Sequence, residues 1–326
     1  MPRKVPFPVG LFVFRVDRLA NLFHFVNNMA AWHFACSESY NRAWLAETGE
    51  LTEDERAALD AFAAVVREFS YGDDRWMGKA FITAETPDAA WEQARSLVGP
   101  EKVSVVQSVF EALSPRFARI WESDEPRLRA LPERLRKAIA SPGVGTAIRA
   151  LEDFYDTPFP ALTVHLLISR GKQLSAGGAN EGPGHVTLEV LETENLMEGI
   201  EVLLHEGSHL MQARRLEPLF DEFSRVHGLD TSGDGLGNAR HLFHEALTGS
   251  LVPGGCLSWK LGRQPHDHLA RAERARARGA EAHAALEELT ARFLPLVATY
   301  IDQGRPVDGK LLENIYAAYA AAPPKF

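Results

Sequence analysis

The chain carries the sequence His205-Glu206-Gly207-Ser208-His209 inside a segment whose apolar residues have the spacing of a helix. These apolar residues stand at positions 196, 197, 200, 203, 204, 210 and 211. The pattern predicts an amphipathic helix, and residues four apart on a helix lie on one face, one turn above each other. The imidazoles of His205 and His209 can therefore reach one metal ion, with Glu206 beside the first of them.

The spacing H-E-x-x-H is typical of helices that bind zinc through two histidines and use the carboxylate as a base. A catalytic zinc site also needs a third protein ligand and an open position for water. A second predicted helix, 238–251, contains His241, His244 and Glu245. Each of these three residues is a candidate for the third ligand. His241 stands one turn before Glu245, where it is a candidate partner of the site or stabiliser of an oxyanion.

In these two segments the chain resembles the gluzincin group of zinc metallopeptidases, to which thermolysin belongs. Members of that group carry H-E-x-x-H on one helix and a ligand Glu on a following helix. The resemblance implies that His205, His209 and Glu245 bind Zn²⁺ and that Glu206 is the catalytic base. The resemblance covers about 60 residues, which include the motif helix, the helix with Glu245 and the segment between them, and hardly any of the rest of the chain.

The chain departs from the gluzincin pattern at two positions. Gly207 stands where the family usually has a bulky apolar residue, and Gly249 stands where it usually has an Asp that orients a ligand His. Because metal-bound histidines usually donate their other N–H to an oxygen, a different acceptor is expected here. A site of this kind also uses an oxyanion donor from a distant segment, and Tyr316 on a late helix is a candidate for that catalytic role.

The expected fold class is α+β and predominantly helical. Residues 1–155 are expected to form a helical N-terminal region, and residues 156–326 a zincin-like catalytic region with a small sheet, two zinc-binding helices and C-terminal helices. Within the first region, 52–55 reads as a capping box, and 86–88 starts a helix that Gly99 ends. Pro115 and Pro132 are expected to break or start helices, and 141–145 reads as a loop.

Two strands are predicted just before the motif helix. Residues 161–169 are rich in aliphatic and β-branched side chains, and 185–190 alternate as a half-buried strand. The glycine-rich segment 175–184 between them reads as a turn. The gluzincin resemblance implies that Val186 to Val190 is an edge strand, which would bind an extended peptide through main-chain hydrogen bonds, and that the hairpin lies beside the zinc cleft.

The loop from Asp230 to Asn238 resembles the start of an EF-hand calcium loop. Position 12 of such a loop falls on His241, so the bidentate Glu that completes the calcium shell is missing. A plain Gly/Asp turn between two helices is therefore the favoured interpretation, with Asn238 as the cap of the second helix.

Composition limits the classes of partner. The net charge of −9 argues against general nucleic-acid affinity. No run of residues has the apolar length of a membrane span, and the N-terminal residues lack the pattern of a signal peptide. A cytoplasmic protein that acts on a peptide or protein substrate is expected. The sequence does not define its oligomeric state.

The predicted function is that of a zinc metallopeptidase. Three alternatives remain open from the sequence. The site could hydrolyse a non-peptide amide or ester, or the chain could be a catalytically silent zinc-binding protein. The motif could also be accidental, in a helical interaction protein.

Overall fold

Helices make up most of the protein, whose computed structural model describes residues 8–32, 36, 38–69, 76–170, 177–190, 195–229 and 239–321. The α-helices of these residues are α1 (Arg18–Met29), α2 (Glu38–Thr48), α3 (Glu53–Val66), α4 (Met77–Thr83), α5 (Pro87–Val98), α6 (Pro100–Ile139), α7 (Pro142–Tyr155), α8 (Leu196–Arg215), α9 (Glu217–His227), α10 (Ala239–Leu251), α11 (His268–Arg276), α12 (Glu281–Asp302) and α13 (Gly309–Ala320). The loop from Asp230 to Asn238 lies outside the described residues, so both interpretations of it stay predictions.

A small mixed sheet accompanies the helices. Its strands are β1 (Phe12–Arg15), β2 (Leu162–Ile168), β3 (Gly178–Gly182) and β4 (His185–Val190). They follow the order β1-β2-β4-β3, with β1, β2 and β4 parallel and β3 antiparallel to β4. The prediction of a predominantly helical α+β fold is thus confirmed. The sequence did not indicate β1, which is only four residues long and forms by pairing with a strand far along the chain.

The predicted edge position of Val186 to Val190 is wrong. In the described residues β4 lies between β2 and β3, so both of its edges are paired. Strand β3 lies at the edge of the sheet, although its glycine-rich sequence predicts a turn. Glycine has low strand propensity, but the extended backbone of β3 satisfies its hydrogen bonds against β4, and pairing decides the conformation.

Most local helix signals in the first half are confirmed. Thr52 and Glu55 form the reciprocal hydrogen bonds of a capping box at the start of α3. Thr86 caps α5, and Gly99 ends it with a φ of 87°. The prediction of a loop at 141–145 is wrong, because this segment is the start of α7. Ser141 is the N-cap residue and Pro142 occupies the first turn, where the missing proline N–H would have no intrahelical partner anyway.

The prolines at 115 and 132 do not break α6, which also contains Pro126. Pro115 and Pro126 are exposed, and so are Glu111 and Glu122, whose carbonyls lose their usual donor. Water can therefore replace the missing hydrogen bonds. The buried apolar side chains continue along the helix on both sides of each proline, and their packing outweighs the local penalty.

The chain groups into two compact units. The sheet unit comprises Phe12–Leu135 and Leu162–Gly199, and the helical unit comprises Met1–Leu11, Arg136–Ala161 and Ile200–Phe326. The predicted division at residue 155 stays a prediction. In the helical unit α10 packs against α12, where Phe243 and Phe293 meet edge to face with ring centroids 5.5 Å apart. This packing fixes the helix that carries Glu245.

Candidate metal centre

Three side chains of the helical unit converge where α8 faces α10. The Nε2 atoms of His205 and His209 lie 3.0 Å apart. An oxygen of Glu245 lies 3.4 Å from Nε2 of His205, and its other oxygen lies 3.2 Å from Nε2 of His209. The i,i+4 spacing on α8 sets the first distance, and the packing of α10 sets the other two.

These distances fit a zinc ion. Ligand atoms about 2.0–2.1 Å from a tetrahedral metal are about 3.3 Å from one another. Two imidazoles and one carboxylate are also a donor set that catalytic zinc sites use. In the part of the chain that the structure describes, this is the one group of three His, Cys, Asp or Glu side chains whose ligand atoms approach one another closely, within 4.8 Å.

Glu245 and His209 each influence the pKa of the other. Burial raises the pKa of Glu245, but the positive charge of His209 and a hydrogen bond from its ring hold that pKa well below its ordinary value. Burial lowers the pKa of His209, but the charge of Glu245 more than offsets it and raises the pKa to about 9. An ionised carboxylate is the form that binds a cation, so Glu245 is kept in its ligating state.

Glu206 is the second carboxylate of the centre. It follows His205 on α8 and is only 6% exposed. Burial raises its pKa, although the two histidines oppose the shift. The pKa values of two neighbouring carboxyl groups are thus shifted in opposite directions. The charged form is favoured at Glu245 and the protonated form at Glu206. Environments that separate two pKa values in this way mark different chemical roles.

The main chain supplies the acceptor that orients His205. Its Nδ1 lies 2.9 Å from the carbonyl oxygen of Val252, which leaves Nε2 to face Glu245. This carbonyl replaces the Asp that the gluzincin pattern has at position 249. A Cβ at Gly249 would lie 3.3 Å from the side chain of Thr290 on α12, so a larger residue would press on the helix behind it.

A packing contact also explains Gly207, the other position at which the chain departs from the gluzincin pattern. A Cβ at this position would lie 2.2–3.1 Å from the ring of Phe159. Real Cβ atoms do not approach a ring so closely, because repulsion rises steeply below contact distance. Phe159 therefore occupies the space beside the motif helix that a bulky residue after Glu206 would need.

Gln212 joins α8 to α10 one turn beyond His209. Its amide nitrogen donates to Tyr155 Oη and to the carbonyl of His244, both at 3.2 Å, and to the hydroxyl of Thr248. Its side-chain oxygen is buried without a hydrogen-bond partner among the described residues. Gln212 nevertheless contributes to the raised pKa of His209. Gln212 therefore lies near enough to His209 to favour its protonated form.

The two other histidines of α10 differ in orientation. His241 is half exposed, and its Nε2 lies 3.8 Å from Glu245. His244 instead turns its Nδ1 toward Glu217, 3.5 Å away, and burial lowers its pKa to about 4. The geometry thus brings His241 to the rim of the cluster and directs His244 away from it. The choice of Glu245 over either histidine as a ligand stays a prediction.

Tyr316 is packed elsewhere on α13. Its ring meets those of Phe223 and His227 on α9, with centroids 5.4 and 4.3 Å away, and it stacks on Tyr319. None of these ring partners is a predicted ligand. The structure does not bring Tyr316 together with the cluster through any of these contacts, and an oxyanion role has no support from them.

Comparison of the chain with protein-family models, with curated proteins and with solved structures finds no match. In the described residues, no helix combines the length and the apolar character needed to cross a bilayer. The functional assignment therefore rests on the chemistry of the residues themselves.

The sequence did not point to two groups beside the histidines, the carbonyl of Val252 and the side chain of Gln212. Val252 acts through its carbonyl, and a main-chain group leaves no signature in the residue type. Gln212 did leave a signal, since it stands three residues after His209 on the same helix face. A polar residue next to a ligand histidine, in an otherwise apolar stripe, is the pattern that would have identified it.

Proposed function

We propose that the protein is a zinc-dependent metallopeptidase of the gluzincin type, with a zincin-like core. One observation carries the proposal, the convergence of His205, His209 and Glu245 beside the buried carboxyl of Glu206. The order of the elements supports it, because a strand, a glycine-rich hairpin and the motif helix precede the helix with Glu245. The residues fit Zn²⁺ in donor type and in spacing.

The number of ligands favours a catalytic site over a structural one. Structural zinc sites are closed by four protein ligands, whereas catalytic sites have three and leave a position open. The cluster of the described residues has three members. The neighbouring Glu206, whose pKa is raised by burial, adds a group suited to proton transfer at that open position.

Each residue has a defined part in the proposed reaction. Bound zinc would supply a Lewis acid that polarises a scissile carbonyl and acidifies water. Glu206, with its raised pKa, would take a proton from the attacking water and deliver it to the leaving amine. The carbonyl of Val252 holds His205 in the tautomer whose Nε2 is free to bind. The half-exposed His241 is placed to donate to a developing oxyanion.

Metal content tests the site. We expect one zinc per chain in the purified protein and none in the variant His205→Ala, His209→Ala. The control is His227→Ala on α9, whose ring contacts are with Phe223 and Tyr316, and which should keep its zinc. Equal zinc in the wild type and the double variant would falsify the assignment.

Activity tests the role of Glu206. A library of quenched fluorescent peptides would be assayed with the zinc-loaded wild type, Glu206→Gln and, as a matched control on the same helix, Glu198→Gln. Glu206→Gln should keep zinc and lose about 10²–10⁴ in rate, the usual contribution of a positioned proton-transfer group. Cleavage of non-peptide esters or amides, without cleavage of any peptide, would contradict the peptidase assignment and retain a hydrolase.

A further inference from the structure

A second carboxylate of α8, Glu201, is completely buried and lies outside the metal cluster. Its exposed fraction is 0%. It stands one helical turn before His205, so both side chains leave the same face of α8. The partners of Glu201 all belong to the segment 252–263, which follows α10 in the chain and begins with the residue whose carbonyl accepts from His205.

Three groups of this segment surround the Glu201 carboxylate. The hydroxyl of Ser258 donates to one oxygen, and the main-chain N–H of Gly254 donates to the same oxygen at 3.4 Å. The guanidinium of Arg263 lies 2.5 Å from the other oxygen. That contact is an ion pair rather than a directed hydrogen bond, because Nε of Arg263 and the oxygen do not meet hydrogen-bond geometry.

The segment has little freedom to move by itself. A Cβ at Gly254 would lie 2.1 Å from the ring of His266, and φ is +72° there, which only glycine adopts easily. The N–H of His266 donates to the carbonyl of Gly254 at 2.8 Å. Main-chain bonds from Cys256 to Ser250 and from Leu257 to Leu251 tie the segment to the end of α10.

Burying the charge of Glu201 costs free energy, which makes an ion pair an inefficient means of stabilising a turn. Replacing a buried ion pair by well-packed apolar residues is often neutral or stabilising, so such a pair is weak evidence for a role in stability alone. Unlike an apolar side chain, Glu201 accepts a hydrogen bond from the main chain and so fixes the orientation of that main chain. Gly254, which it holds, is two residues from Val252, whose carbonyl orients His205.

We propose that Glu201 is a positioning residue of the metal centre. It clamps the segment 252–263 to α8, keeps the carbonyl of Val252 on Nδ1 of His205 and so leaves Nε2 facing Glu245. The inference rests on the proposed zinc site for its purpose. The hydrogen bonds of Glu201 with Gly254 and of His205 with Val252, joined by the main chain between them, exist in the protein without reference to zinc.

The test compares three variants of the full chain. Glu201→Gln keeps the shape of the side chain and removes its charge, and Ser258→Ala removes one donor with little change of volume. Glu55→Gln is the matched control, because it breaks the ion pair between a half-buried carboxylate and the buried Arg116, at 2.7 Å, far from α8 in the chain. The measurements are the tautomer of neutral His205 from its ring ¹⁵N shifts in zinc-free protein, the zinc Kd by chelator competition, and thermal unfolding.

We expect His205 to be the Nδ1–H tautomer in the wild type and in Glu55→Gln, and a mixture of tautomers in Glu201→Gln. Glu201→Gln should also raise the zinc Kd by about tenfold, the lower end of the effect of residues that orient ligands. Ser258→Ala should shift both quantities in the same direction by less, and it decides the matter if Glu201→Gln does not fold.

An unchanged tautomer and Kd in Glu201→Gln, with only a lower unfolding midpoint, would overturn the proposal and leave Glu201 a structural residue. The same holds if Ser258→Ala alone folds and changes neither quantity. A wild type that binds no zinc would overturn the proposed function, while the tautomer would still decide the role of Glu201.

Discussion

Two pairs of histidines in this molecule bring ring nitrogens to the same distance, and only one pair resembles a metal site. In the helical unit, His205 and His209 lie one turn apart on α8 with their Nε2 atoms 3.0 Å apart. In the sheet unit, His165 on β2 and His185 on β4 also have nitrogens 3.0 Å apart. The first pair meets edge to face at 85°, and the second is stacked at 22°.

The charges around the pairs explain the difference. Glu245 faces the first pair and raises the pKa of His209 to about 9. Burial, with smaller contributions from His185 and the positive charge of Arg15, lowers the pKa of His165 to about 4. A cation near Arg15 would be repelled. Spacing of imidazoles is therefore not sufficient for a metal site, and the third group decides whether a cation is attracted.

Removing the carboxylate should have the largest effect. In Glu245→Gln the zinc Kd should rise by more than about 100-fold, since even residues that only orient ligands contribute about 10–100-fold. The double variant His165→Ala, His185→Ala is the counterpart and should keep the wild-type zinc content. Zinc content would be measured by metal analysis after dialysis, and Kd by chelator competition.

Either of two results would contradict this contrast between the two histidine pairs. Loss of zinc from the His165, His185 variant would place a metal in the sheet unit. Unchanged affinity in Glu245→Gln would return the third ligand to one of the alternatives, His241 or His244, and the corresponding alanine variants would then identify it.

A smaller effect is expected at Gln212. Gln212→Met keeps the volume but removes the amide that contributes to the raised pKa of His209, so the zinc Kd should rise by about tenfold. Thr248→Val removes another partner of Gln212 and leaves that amide in place, so it should change Kd much less. Equal effects of the two substitutions would mean that the packing of α8 on α10, and not the amide of Gln212 itself, supports the ligand.

The remaining prediction concerns folding stability rather than zinc affinity, through the pH dependence of His165. Its pKa is lower in the folded protein than the ordinary 6.5, so between about pH 4 and 6.5 the unfolded chain binds more protons at this position. The stability contribution is present above 6.5 and is lost as pH falls toward 4. Between pH 7 and pH 5 the wild type should lose about 2 kcal/mol more unfolding free energy than His165→Gln.

Urea unfolding at both pH values measures this difference. The control is His283→Gln, because His283 is exposed on α12, and its profile should follow the wild type. If His165→Gln keeps the full acid sensitivity, the contrast between the two histidine pairs does not lie in the burial of His165. Other buried histidines, such as His24, would then account for the loss.

The elements that the sequence predicted well are those with a local cause. The capping residues of α3 and α5 lie within a few residues of the helix they start, and the period of α8 is set by its own apolar stripe. The errors were non-local. Strand β1 depends on β2, the burial of β4 depends on β3, and the prolines of α6 are outweighed by the packing of the whole helix.

The candidate site divides in the same way. The sequence alone determined that His205 and His209 share one face with Glu206 beside them, because i,i+4 geometry is a property of the helix. It also marked Glu245 as a candidate. Only the tertiary structure decided that Glu245 approaches both histidines, that the carbonyl of Val252 accepts from His205, and that Gln212 joins α8 to α10. Those contacts join segments far apart in the chain, and packing, rather than residue type or spacing, brings them together.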